Sequence, residues 1–211
     1  MRGLPVAIVG LALLVFITLN TVLTAPRGAD GIAAGERVPP FALPLATGNV
    51  QGDANIATHA NDGSAGRRPA CSVRGAGLMN ICQLYEHGPV VLALFVDSGS
   101  CPGVLDDLQA LASSFPGVSM AAVAIKGERA AVRHLVSSHG LRFPVGLDRD
   151  GVLAQLYKVS SCPQVTLVYP GGVVQSKALL KRPARAVLRA RIAALVVGAK
   201  ARGWRLVEAK A

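Results

Sequence analysis

The chain has 211 residues, of which 51% are apolar, with 22 Lys or Arg against 12 Asp or Glu. That length suits one domain of roughly 100–200 residues with appendages, and the apolar fraction excludes wholesale disorder. The net charge of +10 is local: ten Lys or Arg and one acid follow from Lys177 onward, leaving twelve and eleven before it. This is a basic tail rather than a basic protein, so no nucleic-acid partner is expected.

No residue from Gly3 to Pro26 is charged, and the apolar run at 4–25 is long enough to cross roughly 30 Å of hydrocarbon as a helix. With Arg2 ahead of it, residues 1–3 are expected in the cytoplasm, 4–25 as a single-pass membrane anchor and the rest outside. A cleavable signal is the weaker reading, because Leu23 and Ala25 would hold the −3 and −1 positions and Pro26 would follow the cut. Residues 26–35 are small and turn-rich, and read as a linker. The main domain is expected over 36–203, with an exposed, chemically idle insertion at 51–70 and a basic C-terminal tail at 204–211. Proline-broken snippets in "RVPPFALPLATG" suit short edge strands.

An oxidising compartment lets disulfides persist. Cys71 and Cys82 flank a short turn-containing segment, and this context favours a structural disulfide worth about 2–3 kcal/mol. A metal site is the rival, but the cysteines lack zinc-ribbon spacing. No metal ligands and no cofactor are expected.

From residue 89 the pattern becomes regular. "PVVLALFVD" reads as a strand buried on both faces. "PGVLDDLQALASSF" opens with Pro102 at a first helical position and turns Val104, Leu105, Leu108, Leu111 and Ala112 to one side. "GVSMAAVAI" is a second buried strand, and "ERAAVRHLVSSHG" a helix ended by Gly140. "FPVGLD" and "DGVLAQLYKV" follow as a short strand and a short helix. "CPQVTLVYP", the Gly171–Gly172 turn and "VVQSKALL" read as a hairpin. A closing helix from Pro183 faces Val187, Leu188, Ile192, Leu195 and Val196 inward. This order gives an α/β fold with a mixed central sheet flanked by helices.

Three stretches carry a family resemblance: "VPPFALPLATG", "VVLALFVDSGSCP" and "YKVSSCPQVTLVYPGGVV". Together they resemble the thioredoxin-like superfamily, in particular its membrane-anchored TlpA-like and redoxin (peroxiredoxin-like) branch, over about residues 36–195. The resemblance implies a thioredoxin-like fold and exchange of disulfides with protein or small-molecule thiols. It puts Pro163 in the place of the cis-proline and Gly172 in that of the hairpin glycine. The family's C-x-x-C is absent. Ser98-Gly99-Ser100-Cys101 stands there, so Cys101 is either that motif's second cysteine, with Ser98 replacing the first, or a peroxiredoxin-type single cysteine. The peroxiredoxin arginine aligns with Pro163, which favours thiol–disulfide chemistry over peroxide reduction.

Cys101, between a buried strand and a helix, sits beside unpaired backbone N–H groups that stabilise a thiolate, the attacking species. Ser98 and Ser100 are candidate donors to that anion. The resemblance implies that Cys162, just before Pro163, lies close to Cys101, so the two form a candidate reversible disulfide, with Cys101 attacking and Cys162 resolving. The alternatives are a redox-inactive scaffold with structural disulfides and a thiol peroxidase. Asp106 and Asp107 read as helix-dipole partners, the four histidines as surface residues. Arg185, Arg189, Lys200, Arg202 and Arg205 border a face that would rest on anionic lipid or, in the plainer reading, simply meet water.

Overall fold

The structure is a computed structural model that describes residues 10–18, 20, 31–53, 55–59, 61 and 63–206. The proline-rich opening supplies strand β1 (Ala42–Pro44), paired antiparallel with β2 (Leu78–Asn80). Helix α1 (Ile81–His87) follows without a loop, because Asn80 caps it: its Oδ1 accepts from the Cys82 and Gln83 N–H groups at 2.9 and 3.3 Å. Then come β3 (Val90–Phe95), α2 (Gly103–Ala112), β4 (Ser119–Ile125), α3 (Arg129–Ser138), β5 (Val145–Asp148), α4 (Val152–Leu156), β6 (Gln164–Val168), β7 (Leu179–Leu180) and α5 (Arg185–Ala201).

The five-stranded sheet runs β5-β4-β3-β6-β7. β3, β4 and β5 are parallel, while β6 and β7 each run antiparallel to their neighbour. All six residues of β3 are buried, as a strand covered on both faces requires. Its side chains alternate between two cores. Val91, Ala93 and Phe95 meet Leu105, Leu108, Leu188 and Leu195 of α2 and α5. Val90, Leu92 and Leu94 meet Phe41, Leu43, Ile81, Leu153 and Tyr157. Tyr157 is fully buried, which pushes its phenol well above its ordinary pKa, and its hydroxyl donates to the Pro39 carbonyl at 2.8 Å.

Several expectations need correction. "VVQSKALL" is not one strand: Val174 bridges Val168, the chain then swings out, and only Leu179–Leu180 rejoin β6. Arg191 bonds the Ser176 hydroxyl and the Lys177 carbonyl in that detour. The linker reading fails at its end, because Ile32 is buried and Gly31 N–H donates to the Lys158 carbonyl at 3.1 Å. The 51–70 insertion is pinned where Ala70 N–H donates to Ala57 and Asn55 pairs with Ala42. In α5 Val187 is 47% exposed, and Ala199 completes the inner face instead. The tail begins against the domain: Trp204 packs on the core beside Gly88 and Gly117. Most of the expected anchor at 4–25 lies outside the described residues. Residues 10–18 and 20 are helical, and no helix among the described residues is long and apolar enough to cross a membrane.

Candidate functional site

The site is built where β3 ends. The antiparallel register pairs Leu94 with Gln164, so two residues further on Val96 comes opposite Cys162. The chain then turns through exposed Asp97, Ser98, Gly99 and Ser100, with Gly99 at φ +57°. Glycine suits this left-handed backbone, which L side chains rarely adopt, although the space around it is open. Cys101 N–H closes it by donating to the Ser98 carbonyl at 3.3 Å, and α2 starts two residues later.

The structure joins Cys101 and Cys162 in a disulfide with Cα atoms 5.5 Å apart. Sulfurs 61 positions apart in sequence meet because the strand–helix corner and the loop before β6 are neighbours across one ladder. The Cys162–Pro163 peptide is cis and Pro163 is buried. Cys101 is 5% exposed, whereas Cys162 is partly exposed. Cys101, not Ser98, stands at the approach to the helix. The position three residues on, inside the first turn, is Val104, which is buried in the core. No second sulfur is therefore available on α2, and the partner comes from the proline loop.

Sequence reasoning missed the sulfurs' hydrogen-bond donor. Val96 N–H faces Cys101 Sγ at 3.4 Å and Cys162 Sγ at 3.1 Å. Ser98 and Ser100 are exposed, and neither hydroxyl bonds a sulfur among the described residues. Only the strand register reveals Val96, since a backbone donor leaves no mark on residue type.

A second cluster was also missed. Asp107, 4% exposed, accepts from Arg182 Nε at 2.9 Å and Arg185 Nε at 2.8 Å. Burial pushes its carboxyl up, but the arginine hydrogen bonds and charges outweigh this and hold it below its usual value. Asp107 is thus an anchor for two cations rather than a dipole partner. Arg182 lies over the start of α2: a Cβ on Gly103 would come 2.6 Å from its Nη1. The next residue back, Lys181, donates its N–H to Ser161 Oγ beside Cys162. Asp106 bonds His139 Nδ1 at 2.7 Å and so ties α2 to the end of α3. A groove of about 330 Å³ runs between the carboxyl ends of β3 and β4, lined by Val96, Ser98, Ile125 and Lys126 among others.

Cys71 and Cys82 form a second disulfide, Cα atoms 5.4 Å apart, between a short 3-10 turn (Ala70–Ser72) and α1. Buried Asn80 fixes this loop, donating to the Ala70 and Val73 carbonyls at 2.7 and 2.9 Å. Of the basic residues expected on a lipid face, Arg185 is engaged by Asp107 and Arg202 stacks on Tyr169 at 4.0 Å.

No family model and no curated protein matches the sequence. Solved structures do match. A secreted disulfide oxidoreductase of Mycobacterium tuberculosis is 22% identical, with TM-score 0.50, covering 56% of this chain and 89% of its own. A thiol:disulfide interchange protein DsbE of Chlorobium tepidum is 19% identical, with TM-score 0.56, covering 78% and 99%. The peroxidoxin BcpB of M. tuberculosis is 14% identical, with TM-score 0.55, covering 81% and 97%. Likeness at these identities is a likeness of fold, and the chain has the thioredoxin-like fold of such oxidoreductases.

Proposed function

We propose that the protein is a thiol–disulfide oxidoreductase in which Cys101 and Cys162 are the reversible pair. The observation that carries this reading is one disulfide between a strand–helix corner and a cis-proline loop, with a single backbone N–H facing both sulfurs. In the dithiol form the start of α2, the Val96 N–H and the Arg182 guanidinium all favour a thiolate at Cys101. That thiolate attacks one sulfur of a substrate disulfide, forming a mixed disulfide and releasing the first substrate thiolate. Cys162, after giving up its proton, attacks Cys101 Sγ and releases the second. Two electrons and two protons reach the substrate and the protein ends as the disulfide; the reverse sequence oxidises a substrate dithiol. The groove beside Ser98 and the partly exposed Cys162 ahead of Pro163 are where an extended substrate lies.

The domain works outside the cytoplasm, held by the apolar segment 4–25. Support comes from the charge-free run and from the exposed apolar side chains of its described part, including Leu13, Leu14 and Phe16. Retention in the membrane after carbonate extraction, with the domain open to external protease, tests this; release into the supernatant refutes the anchor. The chemistry is tested by insulin reduction with wild type, Cys101→Ser and Cys162→Ser. Activity in wild type alone, with a substrate adduct trapped on Cys101 in Cys162→Ser, is the expected result. Inactivity of all three leaves a redox-inactive scaffold, and Cys101-dependent peroxide consumption a thiol peroxidase.

A further inference from the structure

A different part of the molecule holds an arrangement that disulfide exchange does not use. Asp148 ends β5, Asp150 follows in the turn, and Asp53 arrives from the loop after β1; one carboxyl oxygen from each lies within 4.8 Å of the others. Each carboxyl is oriented by a backbone donor. Arg149 N–H donates to Asp53 Oδ1 at 2.9 Å, Val152 N–H to Asp150 Oδ1 at 3.0 Å, and Leu153 N–H to Asp148 Oδ2 at 3.0 Å. Asp148 is 0% exposed, yet its Oδ1 has no hydrogen-bond donor among the described residues. A buried carboxylate oxygen without a donor is costly, and neighbouring carboxylates add to the cost.

We propose that Asp53, Asp148 and Asp150 bind a hard divalent cation of calcium's size. A cation supplies what Asp148 Oδ1 lacks and offsets the mutual repulsion of the three carboxylates. All-oxygen ligands select a hard ion. Two ligands at 2.3–2.6 Å from one calcium ion can stand at most about 4.6–5.2 Å apart, whereas magnesium at 2.0–2.1 Å permits only about 4.2 Å. Three carboxylate oxygens within 4.8 Å of one another lie inside the reach of an ion of calcium's size. The ion would clamp the 51–70 insertion to the sheet edge. Lys126 N–H donates to the Asp148 carbonyl at 2.6 Å, so the clamp adjoins the β4 end that lines the groove.

The test uses the full chain in mild detergent, stripped with chelator and then titrated with calcium chloride, reading bound calcium by equilibrium dialysis and stability by thermal melting. One saturable calcium per chain is expected, with Kd about 10⁻⁴–10⁻³ M, as in other extracellular sites, and with a rise in Tm that follows saturation. Asp53→Asn and Asp150→Asn, both at exposed positions, should stay folded by circular dichroism and bind at least about tenfold more weakly. Absence of saturable binding at about 10 mM calcium, or wild-type affinity in both variants, overturns the proposal.

Discussion

Removing each disulfide in turn separates two stabilities that the structure makes unequal. The Cys101–Cys162 bond closes a loop of 61 positions containing α2, β4, α3, β5 and α4, while Cys71–Cys82 closes one of 11. Chain-entropy reasoning assigns about 4.3 kcal/mol to the first and about 2.8 kcal/mol to the second, a gap of about 1.5 kcal/mol. The perturbations are the double variants Cys101→Ser/Cys162→Ser and Cys71→Ser/Cys82→Ser, each keeping the other bond. In urea, with a slope of about 2 kcal/mol/M for a domain of this size, the midpoints should fall by about 2 M and about 1.4 M. Cys82 is 1% exposed and Cys101 is 5% exposed, so serine hydroxyls are buried to a similar degree in both and the difference survives. Equal midpoints, or a larger loss from the short loop, would contradict a loop-length origin for the two stabilities. Opening of the long-loop pair in catalysis therefore lowers the domain's stability by the larger of the two amounts.

Other expectations follow from the cluster around α2. Arg182→Ala should raise the pKa of the reduced Cys101 thiol and slow its alkylation at pH 7 several-fold, because a guanidinium over the helix start favours the thiolate. Gly103→Ala should act in the same direction by displacing Arg182, despite improving helix propensity; faster alkylation in either variant would contradict the role given to Arg182. Asp107→Asn should cost about 1–3 kcal/mol at pH 7, discounted to the lower part of that range by the exposure of both arginines. The Asp107 carboxyl is held below its ordinary value, so its contribution is present above the unfolded pKa near 3.8 and disappears as pH falls through the folded value. The gap between wild type and Asp107→Asn in urea should therefore narrow below about pH 4, and a gap that widens there would be contrary.

Much of the fold was legible because β3, β4 and the amphipathic helices carry periodic apolar residues, and packing of that kind is written in residue type. The Cys101–Cys162 proximity was accessible only through the resemblance to the thioredoxin-like group, since nothing local links positions so far apart. What escaped depends on register or on convergence of distant chain segments. Val96 contributes a backbone N–H. Arg182 and Arg185 looked like part of a solvated basic tail until Asp107 proved buried between them. Asp53 met Asp148 and Asp150 only through the folding back of an insertion that read as idle. The broken β7 hairpin has the same origin, because the detour at Ser176 and Lys177 is held by Arg191 from α5 rather than by any turn signal.

The most direct measurement is the redox state of each cysteine pair in the folded protein, read by thiol alkylation and mass spectrometry across glutathione and dithiothreitol buffers of graded potential. A single reversible Cys101–Cys162 pair requires that both residues take up label together, reversibly and with two-electron behaviour. Cys71 and Cys82 should stay closed over the same range. Labelling of both Cys101 and Cys162 in untreated, oxidised protein would contradict it, and so would a Cys101–Cys162 bond that resists reduction until the chain unfolds.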